Sequence, residues 1–168
     1  MAREELIWPD SSKGAPPKKA AGPPKEEKKS QYQGRMHLLQ KEMIGRYYER
    51  LTAAAEGKGD KAVYMMISGN PVELIQAFDL LPVYPEVNAL QLAVKKQCLP
   101  YILQAEEMGY SIDNCAYVKA DVGMYFGGRK TPFATIPKPD FILCNYVGCN
   151  VYLQWFEHLG EYSGAPPY

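Results

Sequence analysis

The chain has 168 residues, 19 Lys plus Arg against 19 Asp plus Glu, and an apolar fraction of 46% with 13 tyrosines. That is enough chain for one domain with a real core. Zero net charge gives no electrostatic grip on nucleic acid or acidic lipid, and no apolar run approaches the ~20 residues of a membrane span. Residues 1–30 carry five prolines, seven Lys/Arg and five Asp/Glu, and none of the tyrosines. Such a Lys/Pro-rich segment buries too little apolar surface to offset its ordering entropy and reads as a disordered tail. The acidic, apolar-poor start MAREELIWPD does not read as a secretory signal.

From Ser30 to Ala55 the pattern is helical: Met36, Leu39, Met43 and Tyr47 form one row, and Ile44, Tyr48 and Leu51 a second. GKGD at 57–60 ends this helix and linker, which occupy residues 31–60. Ala62–Ser68 is a short continuous apolar run and predicts a buried strand. Asn70, Pro71 and Glu73 then predict a helix start, with Asn70 as cap, running to Asp79. Leu81–Tyr84 predicts a second strand. Pro85 opens a helical stretch to Met108 that Pro100 kinks or divides, with Gly109 as its C-terminal cap. SIDN at 111–114 is a polar turn leading to Cys115 and a helix over Ala116–Phe126, closed by Gly127-Gly128. A proline-bearing loop over 129–140 precedes a third strand, Phe141–Asn145, and an amphipathic helix over Cys149–Leu159. Strand–helix alternation of this kind predicts an α/β fold, a Rossmann-like parallel sheet flanked by helices, over residues 61–168.

Ligands in such sheets bind beyond the carboxyl ends of the strands. Two turns fall there, Gly69-Asn70-Pro71 and NYVGCN at 145–150. Cys149 stands at a helix start, where free backbone N–H groups and the helix dipole favour a thiolate. Cys115 also precedes a helix, so two thiolates meeting at one crevice suit a soft metal centre. Spacing alone leaves this open beside the plainer reading, in which a free cysteine is a small buried hydrophobe. That plainer reading is preferred for Cys98 and Cys144. Cys98 is expected to pack against the sheet or a neighbouring helix. Asp113 and Asp121 read as solvated, and Trp155 and the tyrosines as core. Four cysteines with no CxxC pair and no signal suit reduced thiols in a cytoplasmic compartment. Neither GxGxxG nor GxxxxGK[ST] occurs.

The stretches SGNPVELIQAFDLLPVYPEVNALQ, DNCAYVKADVGMYFGG and PKPDFILCNYVGCNVYLQWFEHL, in this order, resemble the benzoyl-CoA reductase and 2-hydroxyacyl-CoA dehydratase subunit family over roughly residues 35–168. The resemblance implies that Cys115 and Cys149 are ligands of a [4Fe-4S] cluster, with a further cysteine from a C-terminal half absent from this sequence. AYVKADVG is most similar to a cluster-bearing subunit of the ATP-dependent reductases, which dearomatise an aromatic acyl-CoA with low-potential electrons. The dehydratase branch, a lyase, eliminates water from a 2-hydroxyacyl-CoA and is the alternative. A non-catalytic α/β interaction module is a third reading. The partners implied are a related cluster-bearing subunit and an ATP-hydrolysing electron activator. Gly69, Asn70, Glu73 and Asn150 are the candidate contacts to the acyl-CoA, with Asn70 and Glu73 equally readable as caps. Family members are far longer, so the chain reads as a C-terminally truncated piece. Alone it is expected to hold a cluster weakly or not at all, to turn over no thioester, and to bare apolar surface near Phe141–Cys149 and along the Trp155 helix.

Overall fold

The computed structural model describes residues 31–66, 71–145 and 148–168. The predicted tail over 1–30, and Gly69 and Asn70 of the first turn, lie outside the described residues. Three strands, β1 (Ala62–Met65), β2 (Leu81–Val83) and β3 (Phe141–Leu143), form a parallel sheet in the order β2-β1-β3. The α/β class predicted from strand–helix alternation is therefore the fold adopted.

The central strand is buried along its whole length, which is why it reads as a continuous apolar run. Its side chains alternate. Ala62 and Tyr64, with Met66 beyond, join the larger core, whereas Val63 and Met65 meet Ile75 on the other face. The larger face is covered by helices. Leu51 comes from α1 (Gln31–Ala55), Leu92 from α3 (Pro85–Val94) and Ala105 from α4 (Leu99–Glu107). Val118 and Val122 come from α5 (Ala116–Phe126), and Trp155, Phe156 and Leu159 from α6 (Asn150–Ser163). The other face has the short α2 (Val72–Ala77) against it, and Phe141 and Leu143 stay partly exposed there.

The chain leaves β1 toward one edge for β2 and crosses to the opposite side for β3. The order therefore reverses between β1 and β3, the position at which α/β sheets of this kind generally bind ligands. Beyond β3, Ile142 N–H donates to Pro166 O, Tyr168 N–H to Ile142 O, and Cys144 N–H to Tyr168 O. The segment after α6 thus lies alongside β3, with Pro167 bridging Ile142 in parallel.

Four boundaries differ from expectation. The stretch from Pro85 divides at Lys95–Cys98 rather than at Pro100. Lys96 takes φ 57°, and Pro100 sits in the first turn of α4, where its missing N–H costs nothing. Helix α2 begins after Pro71, which occupies the cap position itself, and among the described residues no side chain caps that terminus. Strand β3 stops at Leu143, and Cys144 pairs instead with the C-terminal segment. Helix α6 runs through Gly160 to Ser163 and ends on Gly164, at φ 72°. Tyr162 packs edge-on against Phe126 of α5, which holds that last turn in place.

The apolar row read on α1 does form a face, but its N-terminal part is uncovered: Met36 is 71% exposed and Met43 65%. Trp155 itself is core, as the sequence reading has it, at 3% exposed. Its indole faces α5, while Val151 and Leu153 carry the outward apolar surface of α6.

Candidate functional site at the carboxyl edge of the sheet

Three helix N-termini follow the strands or turns at this edge. Helix α3 starts directly after β2, with Pro85 in its first turn and Glu86 beside it. Helices α5 and α6 start at Cys115 and Cys149, each cysteine occupying the N-cap position. Both cysteines are exposed and free of disulfides.

Each N-cap cysteine is set by its approach. Before Cys115, Asn114 N–H donates to Ser111 O at 3.0 Å, and the Asn114 side-chain oxygen accepts from Cys115 N–H at 2.8 Å. Lys119 holds this turn from beneath. Its ammonium donates to Ile112 O and to Glu106 of α4, both at 2.7 Å, while the residue is 4% exposed. Before Cys149, Gly148 adopts φ 91°, a left-handed conformation that a Cβ would strain, so glycine makes this turn possible. Cys149 O then accepts from Tyr152 N–H at 3.0 Å, opening the helix.

Tyr152 connects these pieces. Its phenol is pushed well above the usual range, first by burial, then by a hydrogen bond with Glu86 and that carboxylate's charge, and then by the charges of Cys149 and Cys115. One hydroxyl thus senses a carboxylate from α3 and thiols from α5 and α6. Thiolate sulfur is the donor type that holds iron–sulfur groups, so the two cysteines suit one chemically, as two of its ligands. Among the described residues, no set of three or more His, Cys, Asp or Glu side chains gathers to hold a metal ion, so further ligands have no source there.

The remaining sequence-derived candidates are placed as follows. Glu73 is exposed in the first turn of α2, and its charge reaches Tyr84, at the N-cap of α3. Asn150 is exposed in the first turn of α6. Cys98 is partly buried against the core, as its apolar reading requires, and so is Cys144. Asp113 is exposed. Asp121 corrects the solvated reading: it is 1% exposed, its Oδ2 accepts from Trp155 Nε1–H at 2.9 Å, and burial pushes its carboxyl up from 3.8 to about 7.

Glu86, Tyr152 and Lys119 were not singled out by sequence reasoning. Glu86 carried only the weak signal of an acid in a first turn, and Tyr152 was one tyrosine of 13. Lys119→Met is expected to cost about 2–3 kcal/mol, because it leaves Glu106 and the Ile112 carbonyl without their donor in a largely dry site. Urea unfolding checks this, and an unchanged midpoint would show that water replaces the ammonium.

An apolar groove of about 160 Å³ runs between α3, α4 and α5, lined by Ala89, Cys98, Ile102, Ala116, Tyr117 and Ala120 among others. None of its lining residues comes from α6, but Ala116 and Tyr117, directly after Cys115, bring it to the first turn of α5. No helix among the described residues is long and apolar enough to cross a membrane.

Comparison with known proteins places these elements in context. Residues 67–168 match the family model described as 2-hydroxyglutaryl-CoA dehydratase, D-component. A benzoyl-CoA reductase subunit of Thauera aromatica is 45% identical over 130 residues, 77% of this chain and 30% of the relative. The (R)-2-hydroxyisocaproyl-CoA dehydratase alpha subunit of Clostridioides difficile is 38% identical over 96 residues, 57% of this chain and 23% of the relative. The (R)-phenyllactyl-CoA dehydratase alpha subunit of Clostridium sporogenes is 31% identical over 112 residues, 67% of this chain and 27% of the relative. The chain thus spans less than a third of the length of these relatives, each of which is named as one subunit among others.

Proposed function

The chain belongs to the 2-hydroxyglutaryl-CoA dehydratase D-component family, and from that membership we propose that it is a cluster-holding part of a benzoyl-CoA reductase-like oxidoreductase. In this reading Cys115 and Cys149 supply two thiolates to a [4Fe-4S] cluster. The remaining ligands, a related cluster-bearing subunit and an ATP-hydrolysing electron activator lie outside this sequence. The observation that carries the reading is the pair of exposed N-cap cysteines whose charges reach one phenol, in a chain 45% identical to a reductase subunit. When bound, such a cluster supplies low-potential one-electron chemistry. This chain's residues would hold and orient it: α5 and α6 would present the sulfurs from their N-caps, with the Tyr152 phenol within reach of their charges. An acyl-CoA would meet the same edge, with Glu73 and Asn150 as candidate contacts and Gly69 and Asn70, which follow β1 in the sequence, as further ones.

The dehydratase alternative rests on the family model's own description and on the two dehydratase alpha subunits, which are less identical and match over shorter stretches. Anaerobic reconstitution with iron and sulfide, in the presence of the partner subunit, tests the cluster reading. Cys115→Ser and Cys149→Ser are each expected to lower bound iron and the cluster's EPR signal by about tenfold or more, given the usual dependence of such sites on their thiolates. Undiminished iron in both variants would sink it. Product analysis with benzoyl-CoA against a 2-hydroxyacyl-CoA, with activator present, then separates reductase from dehydratase.

A further inference from the structure

Two side-chain contacts join α5 to α6, and they follow the same order along both helices, behind the N-cap cysteines Cys115 and Cys149. In the middle, Asp121 Oδ2 accepts from Trp155 Nε1–H at 2.9 Å. Toward the C-terminal ends, the Phe126 and Tyr162 rings meet edge-on with centroids 4.8 Å apart. Asp121 is six residues after Cys115, and Trp155 six after Cys149. At ~1.5 Å per residue the buried rung therefore sits about 9 Å along each helix from its N-cap, at equal depth on both.

This rung is a polar link between the two helices in the dry interior, since Asp121 is 1% and Trp155 3% exposed. It is also directional: an indole N–H and a carboxylate oxygen bond well only within a narrow range of distance and angle, which apolar packing alone does not impose. The other carboxylate oxygen, Oδ1, is buried with no hydrogen-bond partner among the described residues. A buried carboxyl left half satisfied is expensive to keep, and packing alone gives no reason to have one here.

We propose that Asp121 and Trp155 are positioning residues that fix the register of α5 against α6, and thereby the separation of the Cys115 and Cys149 sulfurs. The inference rests on the reading of those cysteines as cluster ligands. A slide of one helix along the other carries its N-cap thiol away from the shared site. With the rung in place, both sulfurs are presented before any metal arrives. This pair stands one layer behind the ligands and touches neither.

The test uses the protein together with its partner subunit, reconstituted anaerobically. Trp155→Phe keeps an aromatic ring and removes the N–H. Asp121→Leu removes the acceptor, and Asp121→Asn keeps an amide oxygen to accept. Trp155→Phe and Asp121→Leu are expected to release iron to a chelator about tenfold faster, in the range seen for lost outer-shell partners. Their cluster EPR lines should broaden, while Asp121→Asn stays within about twofold of the parent. Thermal unfolding of the metal-free proteins accompanies each measurement. Parental iron release and line shape in Trp155→Phe would overturn the proposal. So would iron loss that merely follows the fall in melting temperature, including in Asp121→Asn. Cys115→Ser and Cys149→Ser are run in parallel. If these lose the cluster while Trp155→Phe does not, only the positioning role fails. If they retain it, the ligand reading fails and takes the positioning role with it.

Discussion

Gly123→Ala is expected to be among the most damaging substitutions in the chain, costing about 3 kcal/mol or more. Gly123 lies in α5 where α4 crosses it, and an added Cβ would run into the Tyr101 carbonyl, 2.6 Å from its carbon, with Tyr101 Cα at 2.9 Å. The obstacle is backbone, so no rotamer change relieves it, and α4 must move bodily. Alanine's better helix propensity returns only ~1 kcal/mol. The clash therefore decides the sign. Because α4 carries Glu106 and α5 carries Lys119, a shift also pulls on the turn that presents Cys115. Against a typical domain stability of ~5–15 kcal/mol, such a loss lowers the melting temperature by roughly 10 °C. Gly45→Ala in α1 is the control: nothing lies within 4 Å of its added Cβ, so it should be neutral or stabilise by up to ~1 kcal/mol. Equal melting temperatures for the two variants would show that α4 and α5 separate freely.

Why the strands and most helices were legible follows from the same packing. Ala62–Met65 is buried on both faces, so its apolar run is continuous and needs no partner to be recognised. Cys115 was readable as a helix start because the polar SIDN turn precedes it, and Cys149 because Gly148 breaks the chain before it. What stayed hidden were groups whose role depends on a neighbour far along the chain. Asp121 read as a solvated acid, yet α5 carries Val118, Ala120, Val122, Met124 and Tyr125 on every side and is buried all round. A helix apolar on all faces admits no solvated face, and that pattern was the available signal that Lys119 and Asp121 are interior. Their partners, Glu106 and Trp155, lie on other helices and no spacing rule links them. The same limit applies to Glu86 and Tyr152, which 66 positions separate. Conversely, the α1 stripe was read correctly as amphipathic, but periodicity does not say what covers a face, and Met36 and Met43 remain open.

The ionisation of Asp121 should be visible in the pH dependence of stability, and Asp121→Asn isolates it. Burial raises this carboxyl from 3.8 to about 7, opposed in part by the Trp155 hydrogen bond. The folded protein therefore keeps a proton that the unfolded chain has already released between these two values. Its contribution to stability is fully present below about pH 4 and is lost as pH rises through about 7, for a total on the order of 4 kcal/mol. The groups around it are the Trp155 N–H, the Tyr64 and Tyr125 phenols, which burial first and then its charge push upward, and Arg129, over the Tyr125 ring at 5.7 Å. An asparagine does not titrate. It accepts the same indole bond but leaves a buried amide N–H without a partner where Oδ1 now stands, at about 1–3 kcal/mol. At about pH 5.5 the variant should be the less stable or equal, since the neutral acid places no charge in the core. By about pH 8.5 it should have gained roughly 2 kcal/mol on the parent, because the parent then holds a bare carboxylate in its core. Urea unfolding of both proteins across that range measures the difference directly, and all other titrating groups cancel in it. Parallel stability curves would mean that Asp121 ionises in the folded protein as easily as in the unfolded one, and that water reaches the rung between α5 and α6.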